Sequence, residues 1–189
     1  HAAGLGIVLS DEKDNGKKKQ YFFGEHTDDI ISLDSQTIPG NNGCKLLATG
    51  EVGKHPAVCL YEWDTNAKQF VSLTSMRGFH TKGVCQIAFS NDAKSIFTVG
   101  VDYTIAVYDS DKNSDKFGKM ISSSQGPKDN VLHCASLPNG NFVSCGEKHI
   151  SYWSIKGGRI QQSSVKLRSH KRKLIMCVRR SEERRVGKE

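Results

Sequence analysis

His26-Thr27-Asp28-Asp29 sets an imidazole beside two carboxylates, the donor types of a metal site or an acid–base pair. No second His/Asp group stands at ligand spacing from it, and paired loop aspartates ordinarily turn the chain by bonding their own backbone. Gly50-Glu51-Val52-Gly53-Lys54 offers glycines and a lysine to a phosphate but lacks the G-x-x-x-x-G-K-[ST] spacing. No helical pattern follows it, so its backbone amides would not converge on an anion. Asp28, Asp102 and the scattered serines supply no nucleophile, base and orienter. The run KLRSHKRK, from Lys166 to Lys173, suits a polyanion, yet no aromatic is interleaved to stack on bases. The reading is of a non-enzymatic protein with no catalytic residue, no metal and no cofactor.

Polar residues with no reaction to run must serve the fold, and the fold is legible in the alternation. Between Arg77 and Asp109, Val84, Gln86 and Ala88 alternate with Cys85, Ile87 and Phe89. A turn follows at Asn91-Asp92, Ser95 to Val99 alternates again, and after Asp102 a third stretch closes on Tyr108-Asp109. Period-2 alternation cut by Asn, Asp and Gly is the pattern of short antiparallel strands. The unit recurs: Trp63-Asp64, Tyr108-Asp109 and Trp153-Ser154 end successive units, their aromatics 45 residues apart each time. Gly50, Gly100 and Gly146 close the middle stretch of each. A period of about 40–45 residues with this content is that of a WD repeat, one four-stranded propeller blade per unit.

The expected fold class is therefore all-β: a partial WD-repeat β-propeller of about three full blades, with partial blades at each end. Residues 1–25 read as the closing strands of a truncated blade, with DEKDNGKKK as a charged hairpin turn. Residues 26–179 carry the blades, as units 26–75, 76–120 and 121–165, and LIMCV (174–178) opens a further inner strand within 166–179. Residues 180–189 are charged throughout, resemble translated adapter sequence and read as a non-native tail. In such repeats a His before the inner strand, a Ser/Thr on the middle strand, a turn Asp and the Trp share hydrogen bonds. Buried imidazole and indole N–H groups need such partners. The residues expected in these structural roles are His26, Thr49 and Trp63 in the first unit, His80, Thr98, Asp102 and Tyr108 in the second, and Trp153 in the third. The third unit has Gly126-Pro127 where the others have the His.

The formal charge of +7 favours an acidic partner. Lys17-Lys18-Lys19 reads as a solvated loop rather than a site. The cysteines (44, 59, 85, 134, 145, 177) fall mostly in apolar runs without C-x-x-C spacing, as small buried hydrophobes in a reducing compartment. No apolar run approaches the roughly 20 residues of a membrane span, and neither a signal peptide nor a membrane partner is expected.

The strings GEHTDDIISLD, LLATGEVGK, HTKGVCQIAFSNDAKSIFTVGVD and SCGEKHISYWSIKGG carry the likeness further. Over residues 1–178 or so the chain resembles the echinoderm-microtubule-associated-protein-like family, whose members hold two fused, atypical WD propellers. Ordinary WD repeats show Ser-Gly-Ser-x-Asp where this chain has T-G-E-V-G-K and C-G-E-K-H. The resemblance implies a tubulin- or microtubule-binding scaffold of the cytoplasm and cytoskeleton, with tubulin, microtubules or other proteins as partners. The alternative is a generic WD-repeat scaffold for proteins, or for RNA through Lys166–Lys173. Nucleic acid ranks below protein here, and no partner-contact residue is assigned.

Overall fold

β-branched and aromatic residues at period 2, punctuated by Gly, Asn and Asp, leave this chain no helical stripe to bury. The computed structural model describes residues 6–14, 17–40, 45–165 and 174–178, and no α-helix occurs among them. β1 (Gly6–Asp14) and β2 (Lys17–Phe23) form an antiparallel hairpin. These strands run through the expected charged turn: Lys13 pairs with Lys18 and Asp14 with Lys17. Lys17–Lys19 therefore belongs to a strand, which corrects its reading as a loop.

Three four-stranded antiparallel blades follow. The first is β3 (Ile30–Thr37), β4 (Lys45–Gly53), β5 (Val58–Asp64) and β6 (Gln69–Met76). The second is β7 (Lys82–Phe89), β8 (Ser95–Gly100), β9 (Thr104–Asp109) and β10 (Met120–Gln125). The third is β11 (Val131–Ser136), β12 (Phe142–Gly146), β13 (Ile150–Lys156) and β14 (Arg159–Ser164). The expected boundary at residue 120 thus cuts off the outer strand of the second blade. MISSSQ has one half-buried face and little apolar content, so its alternation was faint. A short bridge, Val52 opposite Gly83 and Gly53 opposite Lys82, joins β4 to β7.

Alternation sends each strand's apolar residues to two opposite faces, and neighbouring blades cover both. Leu46, Ala48, Val58 and Leu60 of blade 1 pack against Val84, Ile87, Phe89, Ile96 and Ala106 of blade 2. The other face of blade 2, with Phe97, Val99, Ile105 and Val107, packs against Val131, Phe142 and Trp153 of blade 3. Phe97 stacks on Phe142 at 4.6 Å and 15° and lies 6.1 Å from Trp153, ring centre to ring centre. Cys59, Cys134 and Cys145 are buried in these layers and Cys85 is half-buried. Cys177 is exposed, against expectation, and Cys44 lies outside the described residues.

Ile30, Val84 and Val131 lead the inner strands, opposite Glu51, Gly100 and Gly146, and each is followed by a one-residue irregularity of register. Ser32, Gln86 and His133 consequently occupy one equivalent place, and each reaches the next inner segment. Ser32 Oγ donates to Val84 O at 2.6 Å, and Gln86 Nε2 donates to Leu132 O at 3.0 Å. His133 Nδ1 faces Val178 N at 3.5 Å, while Ile175 N–H donates to Gly146 O at 3.0 Å. Residues 174–178 thus lie along blade 3 as a next inner segment would, but they form no strand, which corrects that expectation.

Phe97 is fully buried at the second junction. Phe97→Ala is expected to lower stability by about 3–5 kcal/mol, read as a drop in the urea midpoint; a midpoint within error of the parent would refute this account of the junction.

Candidate functional site

The polar residues singled out above gather at one end of each blade, where the inner strands begin. In blade 2, His80 precedes β7 with its side chain 1% exposed. Its Nε2 lies 2.8 Å from Thr98 Oγ1 and its Nδ1 lies 2.8 Å from Thr104 Oγ1. Thr104 donates its hydroxyl to Asp102 Oδ1 at 2.5 Å, so Thr104 Oγ1 must accept its other bond from His80 Nδ1–H. Nε2 then accepts the Thr98 hydroxyl, and the imidazole is assigned as the neutral Nδ1–H tautomer. Asp102 Oδ2 accepts the Thr81 N–H at 2.6 Å and its hydroxyl at 2.8 Å. Gly100 makes the room: a Cβ there would collide with Asp102 Oδ1 and would sit 2.5 Å from His80 Nδ1.

Burial would raise the Asp102 carboxyl, but hydrogen bonds from Thr104 and Thr81 outweigh it and hold it below its ordinary value. Burial also pushes the His80 imidazole down to about 4, against the pull of Asp102. Tyr108 is buried on the same sheet, and burial pushes its phenol up to about 12.

Blade 1 solves the same problem with a different residue. Glu51 stands in the place that the other blades give to glycine, 1% exposed, and its own side chain carries the carboxylate inward. It takes His26 Nδ1 at 2.8 Å, Thr27 N–H at 3.0 Å, Ala57 N–H at 2.9 Å and the Arg77 guanidinium at 2.7 Å. His26 Nε2 meets Thr49 Oγ1 at 2.5 Å. Burial works to raise the Glu51 carboxyl; the bonds from His26, Thr27, Ala57 and Arg77 prevail and hold it low. His26 therefore turns toward Glu51 and Thr49, while Asp28 Oδ1 accepts the Asp29 N–H, so the HTDD string does not converge on a metal.

In blade 3 the imidazole and the carboxylate exchange loops. Asp129 lies ahead of β11, and His149 comes from the turn between β12 and β13, with Nδ1 2.8 Å from Asp129 Oδ1. Trp153 Nε1 donates to Ser144 Oγ at 2.9 Å, and His149 Nε2 stands 3.5 Å from the same oxygen. Each blade thus holds a hydroxyl, an imidazole and a carboxylate in line; His26, Thr49, His80, Thr98 and Asp102 were expected in it, whereas Glu51 and the set of Asp129, His149 and Ser144 were not. Thr49, Thr98 and Ser144 are 0% exposed, so no substrate can reach these hydroxyls and the chains act as structure.

Trp63 needs correction. On β5 the residue in register with the buried aromatics of the other blades is Tyr61, 1% exposed, two places past Cys59, which pairs with Thr49. Trp63 is half-buried farther down the same face, edge-on to Phe70 at 5.1 Å. The even spacing from Trp63 is therefore not the spacing of equivalent positions. Tyr61 stands 47 residues before Tyr108, against 45 between Tyr108 and Trp153.

The inner strands also line a cavity of about 890 Å³, into which residues 177–178 reach. Asp34 faces it, with Oδ2 accepting the Phe89 N–H of the next blade at 2.8 Å. Burial outweighs that bond and one from Ser35, and raises the carboxyl.

The sequence profile described as "WD domain, G-beta repeat" matches residues 70–109 and 118–154. The first match opens on β6 and the second just before β10, the outer strands of blades 1 and 2, and each ends on the third strand of the next blade. The fold is a partial WD-repeat β-propeller. The chain is 25% identical over 93% of its length to echinoderm microtubule-associated protein-like 2 of Rattus norvegicus, and equally so to that of Mus musculus. It covers 27% of each of those proteins. WD repeat-containing protein 90 of Xenopus tropicalis is 24% identical over 79% of the chain, which covers 8% of that protein. The chain thus spans about a quarter or less of these relatives.

Among solved structures it is similar to Saccharomyces cerevisiae Sqt1, with a TM-score of 0.61 at 15% identity, covering 80% of this chain and 38% of that one. Chaetomium thermophilum Sqt1, bound to the N-terminus of ribosomal protein L10, gives 0.65 at 17% identity, covering 92% and 47%. The WD-repeat propeller explains why three different residue sets end in one geometry: a hydroxyl inside the sheet needs a bonded route to the loops.

Glu51→Ala would leave His26, Arg77 and two backbone N–H groups without their acceptor, an expected loss of about 3–5 kcal/mol in chemical denaturation; a loss under about 1 kcal/mol would show the cluster to be dispensable. His80 supplies a pH dependence. Between its ordinary value of 6.5 and about 4 the unfolded chain holds a proton that the folded chain lacks, so stability is full above this window and falls as pH drops through it. Urea midpoints measured from pH 7 to 4 should decline by roughly 1 kcal/mol per pH unit from this residue, and His80→Gln should flatten the slope; identical slopes in the two proteins would contradict it.

Proposed function

We propose that this chain is a non-catalytic interaction module of a microtubule-associated protein, holding tubulin or microtubules in the cytoplasm and cytoskeleton. The observation that carries the reading is the 25% identity spread over 93% of the chain to echinoderm microtubule-associated protein-like 2. A relationship that spans all three blades covers the loops as well as the core. The physics is compatible: a rigid stack of sheets presents loops at both ends, and a net charge of +7 suits an acidic protein surface.

A second reading is a propeller that holds a segment of some other protein. It draws on the similarity to Sqt1, a relative in fold that is bound to the N-terminus of ribosomal protein L10. An RNA-binding reading would use Lys166–Lys173, which lies outside the described residues.

Co-sedimentation with stabilised microtubules separates these. The chain is expected in the pellet at low ionic strength and to leave it as salt is raised, since surface charge pairs are screened within about 10 Å at 0.1 M salt. Absence from the pellet at low ionic strength would overturn the microtubule reading and leave the general scaffold.

A further inference from the structure

Exposed apolar side chains are unevenly distributed over the two ends of the blades. In the loops 90–94, 110–119 and 137–141, at the far end, no large apolar side chain is exposed, and Met120, which opens β10 there, is the exposed neighbour at 45%. At the end where the inner strands begin, Ile31, Val101 and Tyr103 are 40%, 42% and 39% exposed. They are contiguous: Ile31 Cδ1 and Val101 Cγ2 both stand 3.3 Å from the place a Cβ on Gly83 would take. Val101 and Tyr103, with Cys85, Asn130 and Val131, then line a pocket of about 220 Å³ between blades 2 and 3.

Tyr103 is the unusual member. It holds φ +62°, a left-handed conformation that costs a non-glycine residue of order 1–3 kcal/mol. Its carbonyl accepts the Gly126 N–H at 2.7 Å and Gln125 Nε2 at 2.9 Å, so the outgoing strand locks the turn. A glycine would make the same turn without strain; the fold gains little from a ring left this exposed. What the tyrosine adds is a rigid amphipathic surface at the pocket mouth.

The charges at this end are sorted. Asp102 has both oxygens on Thr81 and Thr104, Asp129 faces His149 and the Lys148 N–H, and Glu147 accepts from Asn130. These carboxylates are spent on their own loops. Lys128 and Lys148 remain exposed around the pocket's loops, whereas the exposed acids Asp28 and Asp29 lie at the blade 1 end together with the exposed Lys54 and with Lys82, which pairs with Gly53. The surface is therefore an apolar row that runs from a margin of mixed charge at blade 1 to a basic one at blade 3.

We infer that the row Ile31–Val101–Tyr103 docks an acidic, extended polypeptide segment, with one apolar side chain seated between blades 2 and 3 and carboxylates set against Lys128 and Lys148. This deepens the microtubule reading by placing the contact, but it stands on this surface alone and is tested separately.

The test uses the full chain and a fluorescein-labelled peptide of alternating Glu and Gly with one central Phe, followed by anisotropy at low ionic strength. The wild type is expected to bind. Tyr103→Gly should weaken binding roughly tenfold, as for loss of an aromatic anchor, while its urea midpoint stays level or rises. Lys128→Glu with Lys148→Glu should weaken it and flatten its salt dependence. No binding by the wild type, or equal binding by Tyr103→Gly, would overturn the proposal. So would a uridine oligonucleotide or a phosphatidylserine vesicle bound equally well by wild type and Tyr103→Gly. Microtubule co-sedimentation of the same variants distinguishes the two readings. Pelleting untouched by Tyr103→Gly keeps the microtubule reading and sinks this site; peptide binding lost in Tyr103→Gly without any pelleting does the reverse.

Discussion

A four-stranded sheet only a few residues deep has two apolar faces and cannot bury either against itself. The three blades meet that constraint by stacking, and the fit at each junction follows from it. Phe97 has Phe142 and Trp153 on the facing blade because a ring on the outer face of β8 would otherwise meet water. Ser32 and Gln86 each reach a carbonyl on the next inner strand, so the stack is tied where the sheets come closest. Gly50 permits that approach: a Cβ there would sit 2.5 Å from Ser32 Oγ and 2.7 Å from Val84 Cβ.

Close stacking strands a hydroxyl inside each sheet, and the polar chains answer that second problem. An unbonded buried polar group costs about 1–3 kcal/mol, so Thr49, Thr98 and Ser144 are each linked through an imidazole to a carboxylate at the loops. The three blades show how little the identity of the parts matters. Glu51 works from the position of a glycine, Asp102 from the turn, and Asp129 from the opposite loop with His149 facing it. The geometry of the route is kept, and the side chains that make it are exchanged.

Function on such a frame belongs to what the frame leaves uncovered. The hydroxyl–imidazole–carboxylate chains resemble catalytic ones in order, but their hydroxyls lie sealed inside the sheets. At the loop ends the carboxylates of Glu51, Asp102 and Asp129 are taken up by these chains, while Lys82, Lys128 and Lys148 stay exposed along with Asp28 and Asp29.

Period-2 alternation and the recurring glycines were enough to read an all-β chain of propeller blades, because strand pattern and turn chemistry are local and need no distant partner. His26, His80, Thr98 and Asp102 could be named in advance for the same reason: a buried imidazole implies its partners. Register across a sheet is not local. Trp63 and Tyr61 differ by two residues on one face of β5, and only the pairing of Cys59 with Thr49 shows which of them sits in the core. The role of Glu51 and the exchange of His149 with Asp129 depended on loops 20 or more residues apart meeting in space, as did the junction beneath Tyr103. The amino-acid order by itself decided that strands would form and roughly where they would turn. Tertiary packing decided which faces they shared, since contacts between blades depend on distances that no single stretch of chain encodes.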